Sequence, residues 1–329
     1  MGLEPFIARR TDPDEESIGA FVRRRFGKEA AAYLADPLLA GIHAGDADRL
    51  SARALFPRLV SAEAQSGSVL KAFRQLRTAP SGDGAFVSLP GGIGELVEHL
   101  VAALPAGTVT CDAAVQSLSR EGGAFVLSTS LGEPVRARAV ILAVPAYVAG
   151  QLLAGLAPDT AALCGQVRYS STATVALGYR RNQVRHPLNG SGFLVPKAEG
   201  SPLLAGTWVS AKWPGRAPEG HVLMRAFFGG GRDPRRLDQS DAELTSLAHE
   251  HMSLHSGISG APLFSRIYRW TNRSPQFEVG HTARVAAIEQ GLARIPGLFV
   301  AGSGFRAIGI PDCIADGRAM AAQAAQFGQ

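Results

Sequence analysis

The stretch LFVAGSGFRAIGIPDCIADGRAMAAQ, residues 298–323, carries the strongest fold signal in the sequence. Its apolar start, Leu298 to Ala301, predicts a short buried strand that runs into a glycine-rich loop. Pro311 and the preceding Gly309 predict a final helix that begins near Ile310, because proline is favoured where a helix leaves its first N–H groups unpaired. Those free N–H groups would face the loop, and such a helix end suits a phosphate or another delocalised anion.

Two other interpretations of the loop stay open. Gly302, Gly304 and Ala307 fit the pattern GxGxxA of nicotinamide sites. That pattern must open a βαβ unit whose second strand carries an acidic residue, and only one more helix follows here, so this interpretation is disfavoured. The other alternative is a glycine turn that serves packing alone.

The segment resembles the carboxy-terminal FAD motif of the protoporphyrinogen oxidase and amine oxidase superfamily. Its stretch IGIPDCI is the part most similar to protoporphyrinogen oxidases. The resemblance implies that FAD is the cofactor and that Gly302, Ile308, Gly309 and Ile310 bind it. In that superfamily the final helix points at the pyrimidine edge of the isoalloxazine, where its dipole would stabilise negative charge on a reduced ring.

The apolar pattern along the chain predicts an α+β fold. Helical spacing dominates residues 12–78, and β-type segments dominate residues 168–230. The resemblance covers essentially the whole chain and implies a partial FAD-binding lobe, a mixed-sheet substrate domain and a helical insert. It divides the chain into a membrane- and substrate-facing helical insert, the middle of the FAD-binding domain, a β-rich substrate domain and a C-terminal FAD-binding strand–loop–helix: 1–80, 81–155, 156–280 and 281–329.

Several further elements follow from periodicity and capping residues. We expect a flexible stretch at TAPSGDG, residues 78–84, and then a strand at FVSLP, residues 86–90. Alternating residues predict strands between 108 and 144. Helices are expected over 145–166, 240–255 and 281–294, the second of them capped by Ser240 or Asp241.

The resemblance also assigns residues around the reacting part of the flavin. Gly41 matches a glycine whose backbone carbonyl lies beside the reacting carbon of the substrate, so it is the catalytic candidate. Glycine suits such a position because it lets the backbone approach a bulky ring; without the resemblance the same residue indicates a plain turn. Val115 is implied to meet the adenine through backbone groups, and Trp270 to border the flavin, although a lone tryptophan is more often part of a core.

Two segments, GSGFLVP and LMRAFFGGG, are similar to strands that line the porphyrin cavity of the superfamily. They supply four candidates for its apolar wall: Phe193, Leu194, Met224 and Phe227. Side chains alternate along a strand, so Phe193 and Leu194 cannot both face the cavity, and Leu194 is favoured. A tetrapyrrole is flat and apolar with propionates that need cations, but the sequence leaves open which arginine serves.

The implied reaction is the oxidation of protoporphyrinogen IX to protoporphyrin IX, with molecular oxygen reoxidising the flavin. One alternative is another FAD-dependent oxidoreductase of the amine oxidase type. The aromatic content of 7% speaks against the aromatic cage that amines need. A second alternative is a non-catalytic remnant that binds porphyrin or a membrane through residues 12–78.

Members of the superfamily open with a strand and a GxGxxG fingerprint that grips the FAD pyrophosphate. The nearest match here is GGIG at 91–94, which lacks the third glycine. Three expectations stay open: a truncated gene, a fragment that starts at an internal methionine, or a half that needs a partner, either a second copy in a homodimer or a complementing N-terminal chain. The sheet edges that such a form exposes would favour pairing with another chain.

The composition fits an ordinary globular protein, with 46% hydrophobic and 19% charged residues. The net charge of +5 fits either a GC-rich genome or attraction to acidic ligands and lipid headgroups; no nucleic-acid partner is expected. The three cysteines show no paired spacing, which favours a reduced cytoplasmic setting. No signal peptide or spanning segment is apparent, and a peripheral contact with the cytoplasmic membrane stays open. His249, His251 and His255 lie close together in the sequence, and residues 251 and 255 share a helical face. Because there is no HExxH motif and no further ligand for that pair, a metal site is disfavoured.

Overall fold

The structure is a computed structural model, and it describes residues 3–12, 14–75 and 87–327. Helices occur along the whole described chain and are numbered in chain order: α1 Ile18–Phe26, α2 Lys28–Ala30, α3 Asp36–His43, α4 Ala52–Leu55, α5 Pro57–Ser66, α6 Val69–Gln75, α7 Gly94–Ala102, α8 Ala146–Leu153, α9 Pro158–Gly165, α10 Val209–Lys212, α11 Asp241–Ser256, α12 His281–Leu292 and α13 Ile310–Ala324. A π-helical turn, Ala31–Ala35, joins α2 to α3.

The strands are shorter and fall mainly in the second half of the chain. They are β1 Val115–Glu121, β2 Ala124–Thr129, β3 Val135–Ala137, β4 Val140–Leu142, β5 Tyr169–Arg180, β6 Gly192–Leu194, β7 Ala205–Trp208, β8 His221–Gly229, β9 Phe264–Pro275 and β10 Leu298–Val300.

These strands form three sheets. The largest has the order β6-β7-β8-β5-β9, and every pair in it is antiparallel. A second sheet has the order β1-β2-β3, and β10 pairs in parallel with β4. The α+β prediction is confirmed, but the substrate sheet expected to be mixed is antiparallel in all its described pairs.

Most predicted elements are confirmed, with shifts at their ends. The final helix begins at Ile310 as expected, with Pro311 in its second position, and the strand before it is buried. Helix α11 is capped by Ser240, whose hydroxyl accepts a hydrogen bond from the Glu243 backbone. Residues 145–166 form two helices rather than one continuous segment.

The strand predicted at residues 86–90 is wrong for the part that the structure describes. Residues 87–89 have no regular structure, and position 86 lies outside the described residues. The predicted flexible stretch 78–84 also lies outside them. A short apolar run next to Pro90 looks like a strand locally, but a strand also needs a partner, which local pattern does not reveal.

Contacts divide the chain into two compact units. Unit 1 comprises Met1–Pro90 and Tyr169–Val279, and unit 2 comprises Gly91–Arg168 and Gly280–Gln329. Unit 1 therefore contains the helical segment and the five-stranded sheet. Unit 2 contains the other two sheets and the carboxy-terminal strand–loop–helix. The four contiguous segments expected from the sequence stay a prediction.

The helical segment of unit 1 has its own core and a buried ion cluster beside it. Ile18, Phe21 and Leu39 are among the buried residues of that core. The Arg25 side chain is fully buried and is ion-paired with Glu4. It also donates to the Gly67 carbonyl at 2.9 Å, which ties α1 to the end of α5.

Candidate functional site

The five-stranded sheet of unit 1 has one face packed against α11 and one open face. Side chains alternate between the two faces along each strand. The packed face carries a set of buried apolar side chains that meet Leu244, Ala248 and Met252 of α11: Ala173, Val175, Leu177, Tyr179, Met224, Ala226 and Phe228. This face is a core rather than a ligand surface.

Two of the predicted substrate residues belong to that packed face. Met224 is fully buried in the core, so the structure contradicts its assignment to the wall of an open cavity. Phe193 packs against the same core, with its ring 4.6 Å from that of His255 between centroids. Its neighbour Leu194 points to the opposite face, as strand alternation requires.

The open face carries the other two substrate candidates in a single row across all five strands. The register pairs Leu194 with Ala205, Ala205 with Phe227, Phe227 with Thr174, and Thr174 with Tyr268. The row is apolar except for the hydroxyls of Thr174 and Tyr268, and its Ala205 member is buried. It offers two aromatic rings and two aliphatic side chains to a flat apolar ligand.

Helix α3 lies at one end of this row. A Cβ built on Gly41 would come 2.9 Å from Cδ2 of Leu194, so only glycine leaves this approach unobstructed. Gly41 is in the last turn of α3, where carbonyl groups have no partner within the helix. Among the described residues none donates a hydrogen bond to its carbonyl oxygen. The structure thus brings the catalytic candidate and the favoured substrate residue together.

Side chains that the sequence analysis did not single out hold α3 to the sheet. Arg232 donates to the Asp36 carboxylate at 2.7 Å and to the Val195 carbonyl at 2.6 Å. Gln276 donates to the His43 carbonyl at 2.9 Å. Burial lowers the pKa of His43, which favours its neutral form at this end of α3. These bonds fix the position of Gly41 relative to Leu194.

Tyr268, the last residue of the row, stacks on Trp270 of the same face, with ring centroids 6.4 Å apart. Both lie on β9, and about half of each side chain is exposed. Tyr268 was missed at the sequence level, although its spacing of two from Trp270 places both on one strand face. The role of Trp270 beside a flavin stays a prediction.

In unit 2, the carboxy-terminal loop has the backbone geometry that a closely bound cofactor needs. Gly302 has a φ of +96°, which other residues rarely adopt, and a Cβ there would meet no atom within 4 Å. Asp316 fixes the loop by accepting from the Gly302 N–H at 2.7 Å and from Arg306 Nε at 2.6 Å. Hydrogen bonds to Asp316 therefore hold the loop in place, while the space next to the Gly302 Cα is unoccupied by other described atoms.

The start of α13 fits the same cofactor. Gly309 is the N-cap of this helix and makes no side-chain hydrogen bond, Ile310 is exposed, and the Asp312 carboxylate of the first turn lies 3.1 Å from the position of a Gly309 Cβ. Ile308 and Gly309 are half-buried beside them. Such an end can accept a delocalised anion such as a reduced flavin ring. The structure therefore agrees with the residue types that the FAD prediction requires.

The remaining candidate, Val115, is the first residue of β1 and is partly exposed. It pairs with Thr129, and a bulge separates it from Ser117. A bulge leaves backbone groups outside the regular ladder, where they can bind a ligand. The expected backbone contact with adenine stays a prediction.

The part of the chain that the structure describes contains neither a metal-binding cluster nor a membrane-spanning helix. No cluster of three or more His, Cys, Asp or Glu side chains has an arrangement that could hold a metal ion. None of the described helices combines the length and apolar character needed to cross a membrane. His249, His251 and His255 instead contact Tyr179, Ser201 and Phe193, respectively.

Comparison with known proteins gives a consistent result. A family model described as flavin containing amine oxidoreductase matches residues 3–325. A coproporphyrinogen III oxidase from Bacillus subtilis is 33% identical over 322 residues, which cover 95% of this chain and 68% of that protein. A chloroplastic protoporphyrinogen oxidase from Nicotiana tabacum is 27% identical over 344 residues, covering 95% and 62%.

A crystal structure from Exiguobacterium sp. 255-15, assigned as a protoporphyrinogen oxidase, superimposes with a TM-score of 0.82 and 31% identity. The superposition covers 94% of this chain and 67% of that one. The chain thus spans about two thirds of the length of these relatives, from 62% to 68%.

Proposed function

The chain belongs to the family of flavin-containing amine oxidoreductases, and on that premise we propose that it oxidises a porphyrinogen in tetrapyrrole biosynthesis. Family membership implies an oxidoreductase with FAD as its cofactor. The observation that best supports a porphyrinogen as the substrate is the close approach of Gly41 to Leu194. There Gly41 approaches Leu194 at the end of the apolar row, and no described residue donates a hydrogen bond to the Gly41 carbonyl.

Coproporphyrinogen III is the substrate to test first, because seven relatives at 30–35% identity are named coproporphyrinogen III oxidases. Protoporphyrinogen IX, which the sequence suggested, is the second candidate. It is supported by the name of the Nicotiana relative and by the Exiguobacterium structure. The two molecules share an apolar tetrapyrrole macrocycle, which becomes flat on oxidation to the porphyrin, and differ in the number of carboxylates at its edge.

The residues of this chain would act by positioning rather than by acid–base chemistry. When bound, FAD supplies the two-electron acceptor for hydride removal, and molecular oxygen is the proposed final acceptor. The apolar row from Leu194 to Tyr268 would hold the macrocycle by its face. The Gly41 carbonyl would accept a hydrogen bond from a pyrrole N–H and so orient the reacting carbon. The N-terminus of α13 would favour negative charge on its ligand.

The other readings have less support. An amine oxidase remains an alternative within the family, and a non-catalytic porphyrin- or membrane-binding protein an alternative outside it. The peripheral membrane contact, the homodimer and the complementing N-terminal chain stay predictions.

The test is to purify the chain with added FAD, record its absorbance, and then supply coproporphyrinogen III or protoporphyrinogen IX in air. We expect a bound-flavin spectrum and a rise in porphyrin fluorescence faster than with heat-treated protein. A yellow protein that oxidises amines but neither porphyrinogen would favour the amine oxidase. A colourless protein with no fluorescence rise would contradict the proposal for this chain alone.

A further inference from the structure

Two arginines stand in one row of the open sheet face, directly next to the apolar row. The register pairs Ala176 of β5 with Arg225 of β8 on one side and with Arg266 of β9 on the other. Neighbouring strands are about 4.8 Å apart, so the two arginine backbones are separated by roughly 10 Å. The Ala176 side chain between them is a single methyl group and is only half-buried. The two guanidinium groups can therefore reach one ligand from two sides.

Neither guanidinium has an anionic partner in the part of the chain that the structure describes. Both side chains are exposed, and neither forms an ion pair with a described carboxylate. Arg225 lies over the ring of Phe227, with its guanidinium carbon 5.9 Å from the ring centroid. Arg269, by contrast, lies on the packed face and is ion-paired with Asp241.

The sheet itself has no acidic residue to neutralise this pair. None of its five strands contains aspartate or glutamate. The open face therefore combines an apolar row with an adjacent cationic row, and the two rows run in the same direction across the strands. A complementary ligand has an apolar face and two carboxylates along one edge. Arginine binds such carboxylates in a charge-assisted, often bidentate geometry.

We propose that Arg225 and Arg266 bind two propionates on one edge of the porphyrinogen while the row from Leu194 to Tyr268 holds its macrocycle. This assignment rests on the proposed function and names the arginines that the sequence left open. It makes the two side chains substrate-binding residues, since they touch the carboxylates and not the reacting carbon. The stacking of Arg225 on Phe227 would hold that guanidinium in place for the bond.

The test measures binding of coproporphyrin III, the stable oxidised tetracarboxylate, to the FAD-supplemented full chain by fluorescence titration. We expect each of Arg225→Gln and Arg266→Gln to weaken binding by about tenfold, and the double variant by about a hundredfold. Arg225→Lys keeps the charge and should recover part of the loss. Arg53→Gln removes an exposed arginine on α4 and is the matched control, expected to bind like the unmodified protein.

The tetramethyl ester of coproporphyrin III keeps the macrocycle and lacks the carboxylates. Its binding should be the same for the unmodified protein and for all arginine variants. Equal binding of coproporphyrin III to the double variant and to Arg53→Gln would overturn the assignment. The assignment would also be overturned if the arginine variants lost as much affinity for the ester as for coproporphyrin III. In that case the arginines would contact the apolar face of the macrocycle and not its carboxylates.

The same variants separate this assignment from the proposed function. If the protein does not oxidise porphyrinogens but binds coproporphyrin III in an arginine-dependent manner, the proposed activity fails and the carboxylate site stands. If it oxidises coproporphyrinogen III with the same KM in the double variant, the activity stands and the carboxylate site fails. Thermal melts of each variant check that the fold is retained.

Discussion

At the scale of single residues, the alternation of side chains along a strand decides which face of the sheet each substrate candidate lies on. Phe193 and Leu194 are adjacent and must face opposite ways, which the sequence analysis used. Met224 and Phe227 are three positions apart on β8, so they also face opposite ways. The same rule therefore excludes one member of that pair, and the structure shows that Met224 is the buried one. Which face is the core depends on where α11 packs.

Gly41 gives the sharpest residue-scale prediction. In Gly41→Ala the added methyl group meets the Leu194 side chain, whose end can rotate away, so the free energy of unfolding should change by less than about 1 kcal/mol. The methyl group would nevertheless hold a macrocycle away from the carbonyl. We expect kcat for porphyrinogen oxidation to fall by about tenfold or more, measured under steady-state conditions.

Gly165→Ala at the end of α9 is the matched control, because a Cβ there meets no atom within 4 Å. It should leave kcat unchanged. A Gly41→Ala protein with normal kcat would mean that this carbonyl does not approach the substrate.

At the scale of elements, helix α1 places three consecutive arginines in three different environments. Successive residues point about 100° apart around a helix, so Arg23, Arg24 and Arg25 diverge. Arg25 is fully buried and Arg24 is partly buried against Glu63, whereas Arg23 is the most exposed of the three. Burial alone would raise the pKa of Glu63, but its hydrogen bonds with Arg24 and with the Arg10 backbone hold that pKa below the ordinary value.

Removing the buried member of this set should destabilise the protein strongly. Arg25→Met leaves the buried Glu4 carboxylate without its cation, and the expected loss is about 3–5 kcal/mol in the free energy of unfolding. Urea denaturation followed by circular dichroism measures it.

Arg23→Met is the control on the same helix. Its ion pair with Asp48, at 2.5 Å, is exposed to solvent, and the expected loss is about 0–1 kcal/mol. Equal losses in the two variants would show that the Arg25 pair is not an essential part of the native fold.

At the scale of the whole molecule, each of the two compact units is built from segments that are far apart in the sequence. The helical segment and the five-stranded sheet form unit 1, and residues 91–168 join the carboxy-terminal strand–loop–helix in unit 2. Residues 156–168, which the sequence grouped with the substrate domain, belong to unit 2. Local pattern does not reveal such joins, because they depend on which apolar faces meet after folding.

The thiols report on the integrity of unit 2. Cys164 is fully buried, and burial raises its pKa to about 11, so it should react with an aromatic disulfide reagent only as unit 2 unfolds. Exposed Cys111 should react first in the native protein. Burial, with Asp316 and Asp312 nearby, raises the pKa of Cys313, so it should react more slowly than Cys111.

The Cys111→Ser variant should lack the fast phase of this reaction. Labelling of Cys164 in the native protein at the rate of Cys111 would contradict the burial of Cys164 in α9.

The sequence by itself determined the elements and the family. Apolar periodicity, turn residues and the IGIPDCI stretch are local, and they predicted the α+β class, α13 with its preceding strand, and FAD. Tertiary structure alone decided the site of unit 1. Strand register is a long-range property set by pairing across the sheet, and it places Leu194 and Phe227 in one row and the two arginines on either side of Ala176. The approach of Gly41 to Leu194 likewise joins segments far apart in the chain, which only the folded packing brings together.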